Sequence, residues 1–175
     1  ADALAGWAAI HDRGYLQANI AGGEGFDWFY ASAIDRSAQL RTPITDGTAG
    51  KPWVFRYKDL RAWWSNPHFN RPGGVESGLA TAWVPQSKPI RFTELGCPAI
   101  DRGTNQPNVF FDPKSSESFT PWFSRGWRDD AIQRAYLEAS YLWWGQGANN
   151  PTSAIYGGRM VHVPECAAWT WDARP

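Results

Sequence analysis

Apolar residues recur along this chain at two different spacings, and helix-like and strand-like stretches alternate. In residues 2–18, Leu4, Trp7, Ala8, His11 and Tyr15 fall near one 3.6-residue stripe behind Asp2, a natural N-cap, which predicts a helix ending before Gly22-Gly23. The segment GGEGFDWFY (22–30) is turn-rich and then aromatic. ASAIDRSAQLR (31–41) predicts a second short helix stopped by Pro43, and TPITDGTAG (42–50) reads as a loop. KPWVFRY (51–57) sets β-favouring residues behind a proline, whereas KDLRAWWSN (58–66) returns to helical spacing at Leu60, Trp63 and Trp64. Strand and then helix is the reading of that pair.

From Pro67 to Gln86 the chain is punctuated by glycine and proline, which predicts a long excursion and not a core element. KPIRFTELGCP (88–98) is the most strand-like segment, its run Ile90, Arg91, Phe92, Thr93 bounded by Pro89 and by Gly96-Cys97-Pro98. A polar loop follows at 101–118, far longer than an ordinary strand-to-helix connection, and loops of that length commonly carry function. The clearest helix spans 125–144, with Ser124 as N-cap, Asp129 and Asp130 in the early turns, and Gly145 beyond its end. Ile132, Ala135, Tyr136, Ala139 and Trp143 mark its buried face. ECAAWTWDARP (165–175) is a last strand-like run, so strand, long loop, helix, strand gives the order of a parallel α/β fold.

Composition narrows the function. Twelve tryptophans in 175 residues, with 43% hydrophobic side chains, exclude disorder as the main state. Seventeen basic against 17 acidic residues leave no net charge to draw the chain to nucleic acid or anionic lipid, so neither is an expected partner. No stretch approaches the roughly 18 uninterrupted apolar residues that would cross a bilayer, and no membrane insertion is expected. The start lacks a basic region followed by an apolar one, and lacks Met, as expected of a processed product or a piece of a longer chain. Cys97 and Cys166 fall at far ends of neighbouring strands in this reading, roughly 17 Å apart, which forbids a disulfide.

Glu94 is the leading candidate for chemistry. It sits at the carboxyl end of the predicted strand before a Gly/Pro turn, where parallel α/β folds place catalytic groups; the plainer reading makes it a solvated residue or a partner for Arg91. On a neighbouring strand, Trp169 and Trp171 share a face, and Trp171 with Asp172 would flank Glu94 at the rim. A carboxylate beside an indole suits a sugar, whose apolar face covers the ring while polar groups read its hydroxyls; the plainer reading makes both tryptophans core. Asn105 in the long loop, and Glu24 and Asp27 in the glycine-rich turn, are further substrate-binding candidates, although acids in turns are usually just hydrated. No HExxH, CxxC, GxSxG, P-loop or complete GxGxxG pattern occurs, so no metal and no cofactor is expected.

KPIRFTELGCPAIDRGTNQPNVFFDPKSSES, SRGWRDDAIQRAYLEA, NNPTSAIYGGRMV and AAWTWDARP, preceded by KPWVFRYKDLRAWWSNPH, together resemble the TIM-barrel-like domain of the large tail protein of gene transfer agents and related phages, also described as a host-specificity protein. The resemblance runs over nearly the whole chain. It implies a virion tail-tip component acting at the bacterial cell envelope among other tail proteins, with a barrel similar to clan A glycoside hydrolases. In those enzymes a Glu ending the seventh strand is the nucleophile, in a context similar to KPIRFTELG, which gives Glu94 that role; the stacking aromatic of the next strand matches Trp171 best. The acid/base that normally follows the fourth strand would lie before Ala1. A whole barrel takes about 250 residues, so the expectation is a single partial domain, the C-terminal part of a (β/α)8 TIM-barrel-like fold. Residues 1–87 would hold helices and an elaborated connection before strand seven, and 88–175 the last two parallel strands with their loop and helix. Retaining hydrolysis of cell-wall or surface glycan, peptidoglycan included, is then the implied activity of the intact protein, with the isolated chain inactive. The alternative is a non-catalytic structural, receptor-binding or glycan-binding module.

Overall fold

The computed structural model describes residues 6–45, 50–54 and 56–169 of the 175. The chain divides into two compact units: one of residues 1–18, 91–149 and 163–175, the other of 19–90 and 150–162.

The first unit is built on one long helix. Helix α1 covers Arg13–Ala18, far less than the expected 2–18; Gly6 has φ 76° and the Asp12 carboxylate accepts from Tyr15 N at 3.0 Å, so a cap forms late in the segment. The expected cap Asp2 lies outside the described residues. The long helix, Asp130–Gly145, starts six residues beyond the expected cap Ser124 because Asp101 captures that stretch. Ser124 Oγ donates to Asp101 at 2.9 Å, as do the backbone amides of Arg125 (3.0 Å) and Trp127 (2.8 Å), while Phe123 and Gly126 adopt positive φ. Asp129 then caps the helix by accepting from Ile132 N at 3.0 Å. Ile132, Ala139, Ser140 and Trp144 are its buried residues, with the expected Ala135, Tyr136 and Trp143 half-buried. Leu16, Leu95, Cys97 and Ile100 complete this core, and the Phe92 and Trp144 rings meet at 5.9 Å.

The second unit has only short elements. In chain order these are strand β1 (Trp28–Phe29), helix α2 (Ala33–Ala38), strand β2 (Thr42–Pro43) and helix α3 (Leu60–Ser65), which makes the long helix of the first unit α4. β1 and β2 pair antiparallel, Trp28 opposite Pro43. α2 is capped by Ser32 and stops where Gln39 turns left-handed at φ 54°. α3 forms inside its expected segment, capped by Asp59, which accepts from Ala62 N at 2.9 Å. The expected strand 51–57 is instead a 3-10 turn at Pro52–Val54. Trp64, Met160 and Val161 are fully buried here, and the 1%-exposed Trp64 donates its Nε1–H to Lys88 O at 2.8 Å.

The expected α/β class, a part of a (β/α)8 barrel with parallel strands, is contradicted: among the described residues the strands are β1 and β2, two residues each and antiparallel. Among the described residues, the two segments expected as the last barrel strands meet at one parallel bridge, Leu95 with Ala168 in the first unit, beside a hydrogen bond from Ala167 N to Phe92 O at 2.8 Å; Ile90 instead bridges in parallel to Val161, ahead of the second segment, in the second unit. Between the bridging residues one segment advances five positions and the other seven. The surplus is taken up by a 3-10 turn, Val163–Glu165, whose Pro164 has no amide to donate, and opposite it Thr93 and Glu94 form a bend. A continuous ladder has no constant register to follow. Cys97 is buried and Cys166 half-buried, and the two thiols are not joined in a disulfide. No helix among the described residues is long and apolar enough to cross a membrane.

Candidate functional site

Glu94 lines a cleft in the first unit, assembled by the segment that failed to become a strand. Leu95, buried, anchors the chain by donating to Ala167 O at 2.9 Å and accepting from Trp169 N at 2.8 Å. The next residue must be glycine, because a Cβ on Gly96 would collide with the Trp169 carbonyl oxygen. That close approach brings Trp169 beside Glu94. Pro107 and Asn108 from the long loop and Tyr136 from α4 complete the lining of a cleft of about 240 Å³. The volume falls below the roughly 300–1,000 Å³ of pockets that engulf a drug-sized ligand, so the cleft suits one ring better than an oligomer.

Glu94 is exposed and, among the described residues, has no hydrogen bond or ion pair. Its suggested partner Arg91 is engaged elsewhere, 2.5 Å from Glu165, which removes the reading of Glu94 as half of that surface pair. Burial pushes the Tyr136 hydroxyl up to about 12, with the nearby Cys97 adding to the effect, so the phenol stays a neutral donor. Burial and then the Asp129 carboxylate push the Cys97 thiol up to about 12 as well, which leaves it a poor nucleophile. Among the described residues the lining thus offers one carboxylate, one indole, one neutral phenol and one amide: an acceptor, an aromatic ring and donors, with no second carboxylate.

The other candidates do not join Glu94. Asn105 ends a 3-10 turn, Gly103–Asn105, and donates to Trp122 O at 2.8 Å; it shapes the loop that delivers Pro107 and Asn108 and does not line the cleft. Glu24 and Asp27 belong to the second unit, where Glu24 pairs with Arg36 at 2.7 Å and Asp27 accepts from Gly23 N at 3.0 Å, closing the glycine-rich turn. Trp171 and Asp172 lie outside the described residues. Trp169, ranked behind Trp171 as a rim residue in the sequence, is the indole found at the cleft. No three His, Cys, Asp or Glu side chains among the described residues gather into a metal site.

A larger hollow of about 560 Å³ lies along α1 and α4, but its charges satisfy one another: Glu138 receives Arg134 at 2.8 Å and Arg13 at 3.4 Å. Sequence reasoning passed over Gly96, Pro107, Asn108 and Tyr136 as site residues. The length of the 101–118 loop was the available signal for two of them, whereas Tyr136 lay on a helix stripe read as core. Compared with known families, residues 1–175 match the GTA TIM-barrel-like domain. The comparison with curated proteins gives no match.

Proposed function

Since the chain belongs to the GTA TIM-barrel-like domain family, we propose that it serves a gene transfer agent particle at the tail tip, where the Glu94 cleft engages a sugar ring of the bacterial envelope. The observation that carries this reading is the pairing, in one cleft, of a carboxylate with no partner among the described residues and a half-buried indole. The indole face covers the apolar face of a pyranose, Glu94 and Asn108 address its hydroxyls, and the Tyr136 hydroxyl donates without changing charge near neutral pH.

In the intact protein Glu94 is the nucleophile of a retaining glycoside hydrolysis. Such a reaction needs a second carboxyl about 5–5.5 Å away to protonate the leaving oxygen, and among the described residues the lining contributes only Glu94, so that acid comes from outside them. The same single carboxylate favours a second reading, in which the cleft grips glycan without cleaving it. The decisive measurement incubates this chain with peptidoglycan and with β-1,4-linked N-acetylglucosamine oligomers. Binding without turnover is expected, weakened about tenfold by Trp169→Ala. Turnover by the chain alone, abolished by Glu94→Gln, would overturn the need for an outside acid. Affinity indifferent to both substitutions would remove the cleft as the sugar site.

A further inference from the structure

The second unit carries an aromatic floor that the Glu94 cleft does not use. On α3 the adjacent tryptophans part company: successive helical residues point about 100° apart, so Trp64 is 1% exposed in the core while Trp63 is 43% exposed. Trp63 is joined by two rings from the excursion 67–86, which folds back through a bridge between Phe69 and Ala80 and a hydrogen bond from Thr81 N to His68 O at 2.8 Å. The His68 ring lies 4.5 Å from Trp63 and stacks on Trp83 at 5.2 Å with 6° between planes; Trp63 and Trp83 are 5.2 Å apart.

The polar edges of the floor are already tied down. Trp83 Nε1 donates to Asn66 O at 3.2 Å, and His68 Nε2 donates to Trp63 O at 2.8 Å. Hydrogen-bonding capacity is thus spent inward, and both rings are held in place before any ligand arrives.

Guanidinium or ammonium groups lie over Phe26, Trp28, Tyr30, Phe69 and Trp127, whereas among the described residues none lies over Trp63 or Trp83. The acids nearest in sequence are engaged: Asp59 caps α3, and Glu76 is held by Lys51 and Arg71. The floor therefore has neither a bound cation nor an unpaired negative charge to attract one. A neutral ligand with a flat apolar face is what it fits.

We propose that Trp63, backed by the His68–Trp83 stack, is a second carbohydrate-binding surface that takes a β-linked hexopyranose with its axial C–H bonds against the indole. β-1,4-linked glucose-type sugars keep their hydroxyls equatorial, which leaves both ring faces apolar. The surface stands on its own ring geometry and does not require Glu94 to act.

The test titrates the chain with a β-1,4-linked N-acetylglucosamine tetramer, in the wild type and in a Glu94→Gln/Trp169→Ala background that removes the cleft's contribution. The His68 ring proton signals are followed by NMR and the affinity by calorimetry. The expected result is a saturable shift of the His68 signals in both backgrounds, with affinity at this surface lowered tenfold or more by Trp63→Ala and partly kept by Trp63→Phe. Because Trp63 is exposed, both variants should fold; should either fail to, the wild-type His68 response decides. The proposal is overturned by binding that leaves the His68 signals unmoved, by no binding in the cleft-deficient background, or by a polyproline peptide or choline displacing the sugar at lower concentration.

Discussion

The two units of this chain bury their tryptophans by different means. The first hangs on α4, sixteen residues long, whose Ile132, Ala139 and Trp144 are buried together with Leu16, Leu95 and Ile100. Among its described residues the second has no helix longer than six residues and one two-stranded pair, so polar side chains take over work that ladders do elsewhere. Asn150, 2% exposed, accepts from Val161 N at 2.7 Å and donates to Val161 O at 2.9 Å, imitating a neighbouring strand. Ser153 Oγ donates to Gln86 O and Trp64 Nε1 to Lys88 O, each at 2.8 Å. A region poor in regular structure stays ordered when buried side chains satisfy its main chain, and its stability then resides in single polar residues.

The largest expected effect follows from that contrast. Asn150→Leu keeps the volume but orphans a buried amide and a buried carbonyl of Val161, each worth about 1–3 kcal/mol, so a loss of about 3 kcal/mol is expected. Ile132→Val in the first unit, although Ile132 is 0% exposed, should cost only about 0.5–1.5 kcal/mol, because one methylene is lost and nothing is left unpaired. Urea unfolding of the two variants measures the difference. An Asn150 variant no worse than the Ile132 one would mean that the second unit does not depend on its polar side chains.

A smaller effect compares the helix starts. Asp59 caps α3 with one hydrogen bond, while Asp129 caps α4 and also lies 2.8 Å from His11 Nε2. Each replacement by Ala should cost about 1 kcal/mol for the cap, with Asp129→Ala the costlier because His11 loses its partner too. Thermal unfolding of both variants measures the gap; equal losses would assign the His11 contact no weight.

Where helices lie was more readable from the sequence than where they start. The helical spacing of Leu60, Trp63 and Trp64 marked a helix, and α3 forms there, with Asp59 as the cap that the structure adds. At α4 the stripe was right for Ile132 and Ala139, yet Ser124 is a cap by residue type only, since Asp101, more than twenty positions away, claims its hydroxyl. The strands failed for a related reason. Ile90 and Leu95 do pair in parallel with Val161 and Ala168, but unequal spacing between the pairing points is a property of two distant segments together, invisible in either one. Glu94 was legible from its place before a Gly/Pro turn. Its neighbour Trp169 depended on Gly96 having no side chain, and Tyr136 on which flank of the α4 stripe meets the cleft.

Alkaline titration offers the subtlest probe, because Lys58 in the second unit responds with opposite sign to Cys97 and Tyr136 in the first. In the first, the folded chain holds the Cys97 proton up to about 12 against an ordinary 9.0, and that of Tyr136 up to about 12 against 10.0. Between those limits the native state binds more protons than the unfolded one, so stability falls as pH rises from about 9. In the second, burial lowers Lys58 to about 8 from 10.5, outweighing the pull of Asp27 and Glu24, while its Nζ donates to Gly22 O at 2.7 Å and Glu24 O at 3.1 Å. Here the unfolded chain holds the extra proton, so this group adds stability as pH climbs from about 8 to 10.5. From pH 8 to 9 the lysine acts before the thiol and the phenol begin to titrate. Urea midpoints should therefore rise slightly over that interval and turn down above it. Lys58→Met should flatten the rise and Cys97→Ala should shallow the fall; a rise that survives Lys58→Met would place its source in another group.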